Sequence, residues 1–142
     1  MKVGDILRNK GSEVWSVGPT DSVRDALALM AAKGIGALVV LDGDQVVGIL
    51  SERDYAREVE LKGRTARETA VGEIMTGKVA YVEPDNTVEE CMALMTHKRI
   101  RHLPVIESGR LVGLVSIGDV VKTIISHQQF LIEQLEHYIT TG

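Results

Sequence analysis

Cysteine is almost missing from this chain. Cys91 stands alone among 142 residues, so no internal disulfide can form and a reducing compartment, the cytoplasm, is the simpler setting. Aromatic residues are also scarce, with one Trp, one Phe and three Tyr, which leaves the core to aliphatic side chains. No apolar run approaches the roughly 18 residues of a membrane span. The opening Met1-Lys2-Val3-Gly4-Asp5 is followed by no apolar stretch of the secretory kind. A basic excess is absent too: the net charge of −4 gives no general attraction to nucleic acid, so any basic site must be local. Catalytic signatures are lacking. His97, His102, His127 and His137 have no zinc-type spacing with Cys91 or with one another. No Ser/His/Asp or Cys/His set is placed by a recognisable motif. Gly34-x-Gly36 follows a helical pattern rather than a strand and lacks a third glycine, so it is no dinucleotide fingerprint. Cys91 falls on an apolar helical face and reads as a small packing residue.

What is present is a duplication. Val47-Gly48-Ile49-Leu50-Ser51-Glu52-Arg53-Asp54 returns as Val112-Gly113-Leu114-Val115-Ser116-Ile117-Gly118-Asp119, shifted by 116 − 51 = 65 residues. Residues 14–54 and 79–119 share 15 identities in 41 positions without a gap. A shorter segment, Val3-Gly4-Asp5-Ile6-Leu7, reads as one helical turn and returns as Val71-Gly72-Glu73-Ile74-Met75 with a shift of 68. Two copies suggest a pair closing on itself, in a chain of ordinary size for one compact domain.

Each copy begins with a short β-rich run, Val14–Val17 or Val79–Val82, ended by Pro19 or Pro84. Ser22-x-x-Asp25 and Thr87-x-x-Glu90 have capping-box form. Val23, Ala26, Leu27 and Met30 then keep the spacing of an amphipathic helix, matched by Val88, Cys91, Met92 and Met95. Strands are expected over 38–41 and 46–50, and again over 103–106 and 111–115, each pair joined by a turn. Helices should start at Asp54 and Asp119, the first ending near Gly63 and the second running on to about Tyr138. The order strand, helix, strand, strand, helix predicts an α/β (α+β) chain whose two sheets pack face to face. The expected divisions are a lead-in over 1–13, repeat one over 14–61, a linker over 62–78, repeat two over 79–125 and a helical extension over 126–142.

This pattern resembles the CBS (cystathionine β-synthase) domain, in tandem as a Bateman module. The resemblance covers nearly the whole chain. It rests on Pro19, Ser22-Val23, Ala26 and Met30, on Arg101-His102-Leu103-Pro104-Val105, and on the two Gly-x-x-Ser-x-x-Asp stretches. It implies a pseudo-twofold module of the stand-alone type that binds an adenosine nucleotide between its repeats. AMP is the first choice, with ATP, ADP or NAD(H) as related ligands. In such a module Asp54 or Asp119 would accept hydrogen bonds from ribose hydroxyls, assisted by Ser51 or Ser116. A carboxylate, with two acceptor oxygens, suits a vicinal diol. Arg101 and His102, with Arg99 nearby, would reach the phosphates through charge-assisted bonds. A bound phosphate would favour protonated His102. The same Ser-x-x-Asp spacing also makes a plain helix cap, worth only about 1 kcal/mol and needing no ligand. Likewise, Lys98–His102 could be a solvated basic turn. Copy one has Gly36-Ala37 where copy two has Arg101-His102, so two equivalent clefts are not expected.

The tail carries Val121, Ile124, Gln128, Leu131, Leu135 and Tyr138 at alternating spacings of three and four. That stripe is longer than one module needs: it packs either within the chain or also against a second chain, and the second reading predicts a homodimer. The functional expectation is a non-enzymatic sensor that signals to an effector protein in trans, without metal, nucleic acid or membrane. The alternative is a ligand-free structural or scaffolding dimer.

Overall fold

The computed structural model describes residues 1–141, with side chains through residue 139. Helix α1 (Val3–Lys10) comes first. Repeat one follows as β1 (Ser16–Val17), α2 (Val23–Lys33), β2 (Ala37–Asp42), β3 (Gln45–Ser51) and α3 (Glu52–Tyr55). The chain continues from α3 as a wide π-type turn over Ala56–Glu60. Helix α4 (Val71–Ile74) leads into repeat two, which comprises α5 (Val88–Lys98), β4 (His102–Glu107), β5 (Arg110–Ser116) and α6 (Ile117–Thr141). The expected α/β pair of repeats with a long C-terminal helix is therefore what forms.

Local chemistry accounts for the element ends. Thr87 and Glu90 exchange hydrogen bonds as a full capping box at α5. The Ser22 cap of α2 is one-sided: Ser22 Oγ accepts from the Asp25 N–H at 3.1 Å, and Asp25 returns no bond. Gly34 closes α2 in the left-handed region at φ 65°.

The two hairpins share one register. Ala37 faces Ser51 in the first and His102 faces Ser116 in the second, with irregularities after Val40 and Val105. Repeat one has a third strand, β1, parallel to β2. In repeat two its counterpart shrinks to a single bridge between Val82 and Val105. The expected strand over 79–82 fails for a local reason. Val82 donates to the Pro104 carbonyl at 3.0 Å and accepts from Ile106 at 2.9 Å. The next bond would need an N–H at position 104, where proline has none. Repeat one has Val39 there.

The repeats are interlocked by their lead-in helices. Helix α1 precedes repeat one but docks on repeat two, where Gly4 N–H donates to the Pro84 carbonyl at 2.9 Å. Helix α4 precedes repeat two but docks on repeat one, where Gly72 N–H donates to the Pro19 carbonyl at 2.8 Å. Val3, Ile6 and Leu7 thus complete the core built on Val88, Cys91, Met95, Leu103 and Val115. Val71 and Ile74 complete the core built on Val23, Met30, Leu38 and Leu50. Strands β3 and β5 touch between the repeats, as the face-to-face expectation requires.

Candidate functional site

The Ser-x-x-Asp stretches sit where strand turns into helix. In repeat one the Ser51 N–H and Oγ donate to Asp54 Oδ2 at 2.9 and 3.1 Å, and the Asp54 N–H donates to Ser51 Oγ at 3.2 Å. In repeat two the Ser116 N–H donates to Asp119 Oδ2 at 2.9 Å, and the Asp119 N–H to Ser116 Oγ at 3.1 Å. Both are capping boxes, and both spend only one carboxylate oxygen. Among the described residues Oδ1 makes no hydrogen bond in either aspartate, so the cap and an acceptor for a diol coexist in one side chain.

Charge separates the two copies. Lys10, at the last turn of α1, puts Nζ 2.7 Å from Asp119 Oδ2 and 2.9 Å from the Leu114 carbonyl. No cation pairs with Asp54 among the described residues. Burial opposes ionisation of Asp119. Lys10 and the Ser116 N–H outweigh it and hold the carboxyl below its usual range. His102 begins β4 opposite Ser116. Burial pushes its pKa down, the Asp119 charge pulls it up, and Lys10 and Arg101 push it down further, leaving it below the ordinary histidine value.

Two cavities lie at equivalent positions in the repeats. The larger, about 640 Å³, is lined by the end of α2, by Gly34 and Gly36, and by Glu52 and Tyr55. The smaller, about 290 Å³, has Thr96, Arg99, Arg101 and Ile117 from repeat two and Arg53 from repeat one. The shift of 65 converts Gly34 and Gly36 into Arg99 and Arg101. One cavity is therefore roomy and carries a carboxylate. The other is tighter and carries three guanidinium groups, none in an ion pair among the described residues. Arg99 occupies the left-handed cap position at φ 55°, a conformation that costs a non-glycine residue roughly 1 kcal/mol.

The structure brings Ser116, Asp119, His102, Arg101 and Arg99 to one end of repeat two, while Ser51 and Asp54 cap α3 in repeat one. It does not converge Arg101 and His102 on a single point. Arg101 lines the arginine cavity; His102 lines neither cavity and feels the opposed charges of Asp119 and Lys10. Neighbours entering a strand point to opposite sides. Neither Asp54 nor Asp119 lines either of these two cavities. Two residues absent from the sequence reading enter the site. Lys10 arrives because α1 docks across the repeats. Arg53 arrives from inside the Ser51–Asp54 stretch, at a position where copy two has Gly118. Cys91 is buried with its thiol pushed up to about 11, which fits a packing role. Among the described residues no cluster of His, Cys, Asp or Glu could hold a metal, and no helix is long and apolar enough to cross a membrane.

Two interlocked repeats, each turning from strand to helix through Gly-x-x-Ser-x-x-Asp, define a tandem module of the regulatory kind. The chain belongs to the CBS domain family, whose model matches residues 3–61 and 71–126, lead-in helices included. It is 39% identical to the CBS domain-containing protein CBSX3, mitochondrial, of Arabidopsis thaliana, over 99% of this chain and 72% of that one. A CBS-domain protein of Burkholderia ambifaria MC40-6 superposes with a TM-score of 0.87 at 54% identity, covering 90% of this chain and 96% of its own. The hexameric CBS-CP12 protein of bloom-forming cyanobacteria superposes with a TM-score of 0.77 at 29% identity, covering 85% and 66%. CBS pairs are in general regulatory rather than catalytic, and often bind adenosine ligands.

Proposed function

We propose that the chain is a homodimeric sensor that binds an adenosine nucleotide at the basic end of repeat two and reports occupancy to an effector protein in trans. AMP is the ligand of first choice, with ATP, ADP and NAD(H) as related candidates, and the cytoplasm is the proposed setting. One observation carries the reading. In a chain of net charge −4, Arg53, Arg99 and Arg101 from both repeats line one cavity beside Ile117 at the start of α6, and Lys10 of α1 pairs with Asp119 in the first turn of the same helix. Arginines without carboxylate partners suit phosphate, which they grip through paired N–H donors. Asp119 keeps Oδ1 for ribose hydroxyls. No catalytic step is assigned to any residue. Repeat one, with Gly34, Gly36 and Glu52 at the matching positions, suits an uncharged group or none.

A specific feature favours the scaffolding alternative: Lys10 already neutralises Asp119, so that carboxylate is satisfied without ligand. Calorimetric titration separates the two. AMP should bind at least about tenfold more tightly than adenosine, the scale of one or more charge-assisted contacts. Arg101→Ala should narrow that gap, and Asp119→Ala should cost about 1.5–3 kcal/mol of affinity. No binding of any adenine nucleotide leaves the scaffold. Equal affinity for AMP and adenosine removes the phosphate role of the arginines.

A further inference from the structure

The two cavities share one backbone frame. Ile35 N–H donates to the Met30 carbonyl at 3.0 Å, and Ile100 N–H to the Met95 carbonyl at 3.0 Å. Glu52 N–H donates to the Gly36 carbonyl at 3.0 Å, and Ile117 N–H to the Arg101 carbonyl at 2.8 Å. Gly34 and Arg99 both stand in the left-handed region, at φ 65° and 55°. Side chains therefore make the difference, and each cavity is a control for the other. Met30 and Ile35 return unchanged in type as Met95 and Ile100. The other positions that line both cavities all change toward anion binding. Ala31 becomes Thr96, which brings a hydroxyl. Gly34 becomes Arg99, and Gly36 becomes Arg101. Glu52, the carboxylate of the first cavity, becomes Ile117 in the second. Arg53 completes the set from repeat one, and its own counterpart is again a glycine, Gly118. Every arginine of the second cavity thus stands where the other repeat has glycine. Arg99 does so in a backbone conformation that disfavours side chains.

We infer that the second cavity is a site for two or more linked phosphate groups, clamped between the repeats by Arg53, Arg99 and Arg101. This site rests on the phosphate reading above only for the role of Arg101; it names the anion, and it sets ADP and ATP ahead of AMP. Charge decides the chain length. A single phosphate carries about −1.5 to −2 at neutral pH. That falls short of three guanidinium groups, which meet no carboxylate and donate no hydrogen bond among the described residues. Two linked phosphates carry more charge and offer paired oxygens to more than one guanidinium fork. Room agrees with charge. At about 30 Å³ per water, the cavity of about 290 Å³ takes on the order of ten water-sized groups. Neither Asp54 nor Asp119 lines this cavity, so no ribose is needed to seat the chain. Its source is then either free inorganic diphosphate or the tail of a nucleotide. Arg53 lies in the first turn of α3, and Arg99 and Arg101 lie between α5 and β4. Occupancy therefore ties one repeat to the other.

The experiment is calorimetric titration of the full chain with inorganic phosphate, inorganic diphosphate, AMP, ADP and adenosine. Diphosphate is expected to bind at least about tenfold more tightly than phosphate, the scale of one further charge-assisted contact. Added salt should weaken both, because the three arginines are exposed. Arg53→Gly, Arg99→Gly and Arg101→Gly each install the residue that the other repeat carries in the same frame, and thermal melts check that the fold is kept. Each should lose roughly tenfold in diphosphate affinity. Equal affinities for phosphate and diphosphate, or diphosphate binding unchanged by Arg53→Gly, overturn the clamp. If AMP still outbinds adenosine in that case, the nucleotide reading survives; diphosphate binding without a gap between AMP and adenosine removes the nucleotide reading and keeps the clamp. ADP binding more tightly than diphosphate identifies a nucleotide as the source, the reverse identifies the free anion, and both carry the site. Sedimentation of the same variants covers the remaining case. Arginine variants that change the mass of the particle and leave diphosphate affinity untouched make the cluster a contact between chains, which overturns the site.

Discussion

At Gly113 an added Cβ would stand 2.5 Å from Leu7 Cδ2, and at Gly48 it would stand 2.5 Å from Met75 Sδ. The glycine of each Gly-x-x-Ser-x-x-Asp stretch is thus the seat of a side chain from a lead-in helix, and the shift of 68 that maps Leu7 onto Met75 shows the same contact made twice. Gly113→Ala should destabilise by about 1–3 kcal/mol through overpacking. Most of that penalty should vanish in a Leu7→Ala background, measured as coupling in a double-mutant cycle of thermal melts. Strict additivity would show that the glycine serves something else. Arg99 poses the opposite case. Arg99→Gly should stabilise by roughly 1 kcal/mol by relieving the left-handed cap, while weakening AMP binding. A variant no more stable than wild type would deny the backbone cost.

His102 supplies a pH signature at the same scale. Its folded pKa lies below the unfolded value of 6.5, mainly through burial. The unfolded chain therefore binds more protons between the two values, and stability falls as pH drops through that window. Above about 6.5 the contribution is fully present. Asp119 acts lower: its depressed folded pKa gives stability that is present above 3.8 and is lost as pH falls through the folded value. His102→Gln should flatten the stability curve between pH 7 and 5 and leave the acid limb intact. An unchanged slope there would place the titration on another group.

At the scale of elements, Pro104 decides how wide the second sheet is. Pro104→Val would restore the N–H that repeat one has at Val39, aimed at the carbonyl of residue 80. The amide at position 104 should then exchange slowly with solvent, with stability changed by no more than about 1 kcal/mol. Fast exchange there would mean that something other than the missing donor limits the strand. Much of this layer was legible in sequence. The helix faces, the hairpins with their matched registers, and the Thr87 cap all follow from local pattern. The reduced strand was misread because β-rich composition over 79–82 says nothing about the donor opposite it. The exchange of lead-in helices was not legible at all. The apolar spacing of Val3, Ile6 and Leu7 reports that a face is buried, not which repeat buries it. Lys10 was missed for that reason. Arg53 was missed because it lies in the helix-start motif of one repeat and acts at the cavity of the other.

Over the whole molecule, the exchange of lead-in helices ties the two cores into one cooperative unit. Neither core is complete without a segment that precedes the other repeat: Val3, Ile6 and Leu7 for the second, Val71 and Ile74 for the first. Unfolding either repeat strips the partner's lead-in helix of its seat and exposes those side chains. Burying each one fully contributes about 1.5–3 kcal/mol, so a half-unfolded state loses several such terms at once. Trp15 makes this testable, because it is the chain's one tryptophan and packs against the repeat-one core, under the Lys33 ammonium. Leu103 is wholly buried in the core of repeat two. Leu103→Ala should cost about 2–5 kcal/mol and should lower the midpoint of the Trp15 fluorescence transition by the same amount as the midpoint seen by circular dichroism. Coincident transitions are the mark of a single cooperative unit. If Trp15 instead reports its wild-type midpoint while circular dichroism shows an earlier step, the repeats unfold separately and the interlock carries little of the stability.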